Sequence, residues 1–212
     1  MYDNRRAFEA AVFACDPPYI ARALVSIKVA WQIYQAAQRT SLNFLILGRW
    51  VGENDPDTGM FVGNSDTGNP GIDPVLMQNL NTVGRPPAVT GEWSDKEDYL
   101  TGGSIMNSGR WTILVNDSLI LGGVHSHTQF QLASQRSREN IYKPTPAGDP
   151  RLTVTGRELV GLAVFGYRIY KLPIGEVGVC VDPALANKAS FSTYRQRIAQ
   201  YTVDSNWEEL TG

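Results

Sequence analysis

The chain contains two histidines, His125 and His127, one residue apart and directly after Gly122-Gly123. On an extended segment, positions two apart project to the same side, so this spacing predicts a polar face made of His125, His127, Gln129 and Gln131. Imidazoles titrate near neutral pH, and two on one face beside a glycine-permitted bend suit a general base, an oxyanion donor or two metal ligands. A metal would need a third ligand whose position the sequence does not show. An ordinary solvated strand face has the same pattern, and these readings stay open together. Cys15 is the third catalytic candidate. It stands just before Asp16-Pro17, where a good N-cap and a proline at the first helical position predict a helix start. The free N–H groups and dipole of a helix N-terminus lower a thiol pKa. Paired with either histidine, such a thiolate would be a cysteine nucleophile with its base. A structural thiol fits the position equally well. Cys180 alternates within an apolar segment and reads as core.

Other motifs explain themselves more simply. Thr155-Gly-Arg157-Glu158 matches a capping box, in which Glu158 at N3 reaches back to the cap. That explains Glu158 without catalysis, although a catalytic carboxylate at Glu158, an anion clamp at Arg157 and an anion on the helix N-terminus all remain open. Asp57-Thr-Gly59 and Asp66-Thr-Gly68 repeat the aspartic-protease tripeptide, but both fall in one polar loop rather than after apolar strands. Residues 53–59 alternate oxygen-bearing side chains as calcium loops do, without the rest of that pattern. No phosphate-binding Gly-x-x-x-x-Gly-Lys-Ser/Thr, no Gly-x-Ser-x-Gly, no Gly-x-Gly-x-x-Gly and no Cys-x-x-Cys occurs. Nucleotide hydrolysis, α/β-hydrolase chemistry and dinucleotide redox chemistry are therefore disfavoured, and the cofactor stays unknown.

The elements that must carry these residues are legible in outline. Ala7, Phe8, Ala11 and Val12 recur at helical spacing and predict a helix from about Asp3 to Ala14. A second helix is expected from Pro17 to about Gln38, apolar on so much of its circumference that it should be buried. Leu42 to Leu47 reads as a buried strand, followed by a long irregular stretch from Gly48 to Ile72 and a short helix from Asp73-Pro74. Trp111–Val115 and Leu119–Leu121 around Asn116-Asp117 read as a hairpin, and Thr128–Ala133 as a half-buried strand, together an antiparallel meander. A helix from Thr155 to Gly166, a hairpin of Tyr167–Leu172 with Val177–Val181, a helical start at Asp182-Pro183 and a helix over Phe191–Tyr201 complete the chain. The expected fold is α+β: buried N-terminal helices packed on an antiparallel sheet of hairpins, with long Gly/Asp/Pro-rich loops, in one domain over residues 1–212.

With 212 residues, 42% apolar, 19 Lys+Arg against 21 Asp+Glu, the chain is long enough for a sizeable core and carries no charge excess toward nucleic acid. No apolar run reaches membrane-span length, and Met1-Tyr-Asp-Asn-Arg-Arg lacks a signal peptide's pattern. A soluble protein made in the cytoplasm is expected, with export by a route that needs no cleaved signal left open. Gly122-Gly-Val-His-Ser-His127 and the segment from Arg157 to Tyr167 resemble parts of bacterial proteins of the interbacterial effector type. The resemblance covers a minor part of the chain and implies a delivered toxin or effector, without assigning catalytic residues. Two functions are carried forward. One is a small enzyme, of that bacterial effector type, doing hydrolysis or group transfer with histidine as acid–base. The other is a non-catalytic protein-binding or assembly module with aromatic anchors such as Trp50, Trp93 and Trp207. A protein partner is plausible for either, and neither cofactor nor substrate is named by the sequence.

Overall fold

The computed structural model describes residues 1–15, 27–38, 44–47, 53–54, 61–62, 113–132, 135–143, 151–172 and 175–201. Helix α1, Arg5–Phe13, is capped by the Asn4 side chain, which accepts the Ala7 N–H at 3.0 Å. It buries Phe8 and Val12, one turn apart. Helix α2, Ile27–Gln38, buries Ala30, Ile33, Tyr34 and Ala37, the three-and-four spacing of a core-facing stripe. Strand β1, Phe44–Leu47, follows, and then two short strands, β2 (Glu53–Asn54) and β3 (Phe61–Val62), paired antiparallel. The expected helix starts at Pro17 and Asp73, both Asp-Thr-Gly tripeptides, the candidate calcium ligands Asp55 and Asp57, and Trp50, Trp93 and Trp207 lie outside the described residues.

The hairpin expected across Asn116-Asp117 is instead helix α3, Ile113–His125. Twelve consecutive residues, Leu114 to His125, are buried, so no solvent-facing side exists to write a helical period into the sequence. β-branched residues and an Asn-Asp pair favour strand and turn locally, and tertiary burial overrides them. The two glycines serve close packing rather than a bend. A Cβ on Gly122 would stand 2.5 Å from the Tyr34 carbonyl oxygen and 2.8 Å from the Ala37 Cβ, so α2 and α3 touch backbone to backbone here.

After α3 the chain enters strand β4 (Gln129–Leu132), the single-turn helix α4 (Arg138–Ile141), and strands β5 (Tyr142–Lys143) and β6 (Arg151–Leu152), which pair with each other. Helix α5 (Val154–Val164), strands β7 (Tyr167–Lys171) and β8 (Glu176–Cys180), and helices α6 (Pro183–Asn187) and α7 (Phe191–Gln200) follow. The main sheet runs β1-β4-β8-β7. β4, β8 and β7 are antiparallel, while β1 lies parallel to β4, with α3 in the crossover between them. The protein is thus α+β, as expected, but the sheet is mixed where a pure meander was read. Asp182 caps α6 through Ala184 and Leu185, and Gly166 closes α5 at φ 80°, both at the positions the sequence predicts. The larger core lies between α1, α2, α3 and the sheet and includes Phe8, Tyr34, Leu119, Phe130, Phe165, Phe191 and Tyr194. A smaller one joins Leu132, Ile141, Tyr142, Leu159 and Val160.

Candidate functional site

His125 and His127 do not share a face. His125 closes α3 and is 3% exposed. Its Nε2 lies 2.9 Å from the Ala189 carbonyl, which only accepts, so the proton sits on Nε2 and Nδ1 is the acceptor. The Tyr34 hydroxyl therefore donates to Nδ1 across 2.8 Å. Burial, opposed by the Ala189 hydrogen bond, lowers the His125 pKa to about 4, and the ring is neutral at physiological pH. Both nitrogens are committed, which makes this a core-anchoring histidine. His127, two residues on, is exposed with φ 55°. It occupies the left-handed position of a Schellman motif: the Thr128 N–H bonds the Gly123 carbonyl at 2.9 Å and the His127 N–H the Val124 carbonyl at 3.0 Å. Its Nε2 meets Asn187 Oδ1 at 3.2 Å in the open. The extended backbone assumed for the pair is replaced by a helix end, and that turn sends the two rings apart.

Cys15 ends the first helical segment, where its thiol faces the Ala11 carbonyl at 3.5 Å and packs against the main core. In this place it meets carbonyl ends of α1. Cys15 and His125 both border Tyr2, whose ring stands edge-on to the imidazole with centroids 5.7 Å apart and whose hydroxyl pKa is raised to about 12, by burial and secondarily by Cys15. Neither cysteine is in a disulfide, and burial raises the Cys180 thiol pKa.

A different group of chemically capable residues meets where α3, α5 and α7 cross. Asp117 of α3 is fully buried and ion-paired with Arg157 of α5, whose Nη2 reaches both carboxylate oxygens at 3.0 and 2.9 Å. Adjacent residues form a second rung, in which the Asn116 side chain lies beside the Glu158 carboxyl and pulls its pKa down. Tyr194 of α7 seats the pair. Its hydroxyl donates to the Arg157 carbonyl at 2.7 Å and its ring lies under the guanidinium at 5.8 Å. The guanidinium side chain, 11% exposed, is the edge of the cluster nearest solvent.

Glu158 is the unusual member. The capping box that accounts for it in the sequence does not form, because Thr153 rather than Thr155 caps α5, accepting the Gly156 N–H at 3.0 Å. Thr153 is held in that role by its own backbone, whose N–H bonds the Ile141 carbonyl at 2.8 Å. Glu158 then falls five residues after the cap, too far along to reach back to it, and its side chain turns into the protein. The residue is 4% exposed, and Oε2 has no hydrogen-bond partner; nor has the buried hydroxyl of Thr155, one turn earlier on the same helix. Desolvation first and the Asp117 charge second push the Glu158 pKa well above the ordinary carboxyl range, against opposing pulls from Arg157 and Asn116. Glu158 therefore keeps its proton to a higher pH than an ordinary carboxyl, beside a carboxylate paired with Arg157.

Asp117 and Asn116 were hidden by the hairpin reading. The signal that could have found them is a polar pair inside a run otherwise apolar enough to be buried, since buried carboxylates are rare unless paired. Among the described residues, no group of three His, Cys, Asp or Glu side chains could hold a metal ion, and no helix is long and apolar enough to cross a membrane. No protein-family model, curated protein or solved structure matches the chain.

Proposed function

We propose that the chain is a small acid–base enzyme, performing hydrolysis or group transfer, and that its working groups are Glu158, Asp117 and Arg157. The carrying observation is the Glu158 carboxyl: enclosed, with its pKa pushed well above the ordinary range and one oxygen unpartnered, next to the Asp117–Arg157 pair. A carboxyl with a raised pKa beside a carboxylate held by an arginine divides naturally into a proton donor and an anion. Glu158 is the general acid in this reading. Asp117 is the stabilising anion, and Arg157 holds it in place while presenting a cation at the solvent edge. His125, His127 and Cys15 are not required for the chemistry. Action as a bacterial effector belongs to the same proposal.

The test is growth of bacteria on induced expression, cytoplasmic and periplasmically targeted, comparing wild type with Glu158→Gln and with His127→Ala. Circular dichroism of each purified protein establishes that it is folded. Toxicity lost in Glu158→Gln and kept in His127→Ala supports the assignment, and toxicity surviving in folded Glu158→Gln refutes it. The alternative, a non-catalytic binding module, predicts that Glu158→Gln leaves every phenotype intact.

A further inference from the structure

The first residues of the chain are fastened to the core through one oxygen atom. Tyr34 Oη donates to His125 Nδ1 at 2.8 Å and accepts from the Tyr2 backbone N–H at 2.9 Å and from Gln38 Nε2 at 3.1 Å. One proton and two lone pairs are the whole capacity of a phenol, and all three are in use. Around this atom the Tyr2 ring is stacked on Phe191, with centroids 5.7 Å apart and planes 13° from parallel, and stands edge-on to Phe8 at 5.7 Å. The Phe191 N–H reaches the Tyr2 hydroxyl at 3.4 Å. Tyr2 thus covers one side of the His125 ring.

We infer that this arrangement is a proton-operated latch, in which protonation of His125 unseats Tyr2 and the residues around it. A proton on Nδ1 turns that atom into a donor. The Tyr34 oxygen then faces three donors with two lone pairs, and its own O–H loses its acceptor. The weakest-held donor is the Tyr2 N–H, whose residue belongs to no helix or strand. Gln38 sits on the same helix as Tyr34, while Tyr2 is tied by this bond, its ring packing and the long bond from Phe191. Among the described residues, the groups set directly against the imidazole give the new charge no counterion, and the nearby Asp3 carboxylate acts on the Tyr34 hydroxyl. Tyr34 of α2 and Tyr2 of the N-terminal segment are neutral phenols, and the Ala189 carbonyl already holds Nε2. The terminal ammonium and His127 both oppose a second positive charge. Opening uncovers the His125 edge and the ring faces of Phe8 and Phe191, so the latch changes which surface the protein shows in an acidic compartment. This device is independent of the Glu158 cluster.

The experiment is NMR of the full chain from pH 7 to pH 3. It follows through-space cross-peaks between the Tyr2 and Phe191 rings, the His125 ring nitrogens, and the exchange protection of Leu159, Val160 and Leu162 amides in α5. The expected result is disappearance of the Tyr2–Phe191 cross-peaks, half complete near pH 4 and tracking His125 protonation, while α5 stays protected. Cross-peaks that persist in folded protein with His125 protonated overturn the inference. So does a Tyr2 release that occurs only together with the loss of α5 protection. In His125→Asn, whose side-chain oxygen accepts from Tyr34 and does not titrate, the cross-peaks should survive across the range. The same half-disappearance in that variant overturns the inference too. If it does not fold, the wild-type titration decides alone.

Discussion

Replacing Glu158 by glutamine should make the protein more stable at neutral pH, by an amount that grows with pH. Proton linkage sets the direction. Glu158 has a folded-state pKa raised above its ordinary value near 4.5, so between those two values the folded state holds a proton that the unfolded chain has released. Stability from this group is complete below about pH 4.5 and is lost as pH rises toward the folded value, at about 1.4 kcal/mol per pH unit. Glutamine keeps the size and removes the titration. His125 complicates the wild-type curve alone. Its pKa is lowered to about 4 from 6.5, so its contribution is complete above pH 6.5 and is lost as pH falls toward 4, with the opposite slope. The two slopes offset each other between about pH 4.5 and 6.5, and wild-type stability should be nearly flat there. The difference between Glu158→Gln and wild type isolates the glutamate, because both proteins contain His125. Urea unfolding at pH 5, 6 and 7 should show this difference widening with pH in favour of the variant, by at most about 1.4 kcal/mol per unit. A glutamine variant less stable than wild type by the same margin at every pH would show Glu158 ionised and paired in the folded protein, and the account of the cluster would fail.

Other outcomes follow from the same geometry. Arg157→Met leaves Asp117 buried without its cation and should cost about 3–5 kcal/mol at pH 7 in urea unfolding. Adding Asp117→Asn should recover most of that loss, and no recovery would show the two residues act separately. His127→Gly should stabilise slightly, by about 0.5 kcal/mol, because the left-handed position costs a non-glycine residue about 1–2 kcal/mol and glycine returns about 0.4–1 in chain entropy. A destabilised His127→Gly would mean the Asn187 contact outweighs the backbone term. Gly122→Ala drives a methyl to 2.5 Å from the Tyr34 carbonyl oxygen and should cost about 1–3 kcal/mol through displacement of α2; an unchanged midpoint in thermal unfolding would contradict that packing.

What the sequence revealed divides along physical lines. Elements with a solvent face and a local boundary signal were legible: α1 through its apolar stripe, β7 and β8 through their alternation, α6 through Asp182-Pro183. Helix α3 was not, because burial from Leu114 to His125 erases the period on which helix reading depends. The parallel pairing of β1 with β4 is non-local and leaves no mark in either segment. Glu158 was visible but explained away. Two threonines compete to cap α5, and Thr153 wins through a backbone bond to Ile141, a residue that sequence spacing does not connect to it. The histidines were noticed for their rarity, yet their roles depend on where α3 stops, which sequence patterns locate least well.

The most direct test of the account is a carbon-13 NMR titration of the side-chain carboxyl carbons of Glu158 and Asp117. The expected result is a Glu158 carboxyl that titrates well above the ordinary value, beside an Asp117 carboxylate held by Arg157. A Glu158 resonance that titrates near the ordinary value of 4.5 would contradict it and remove the proton donor on which the proposed enzyme depends.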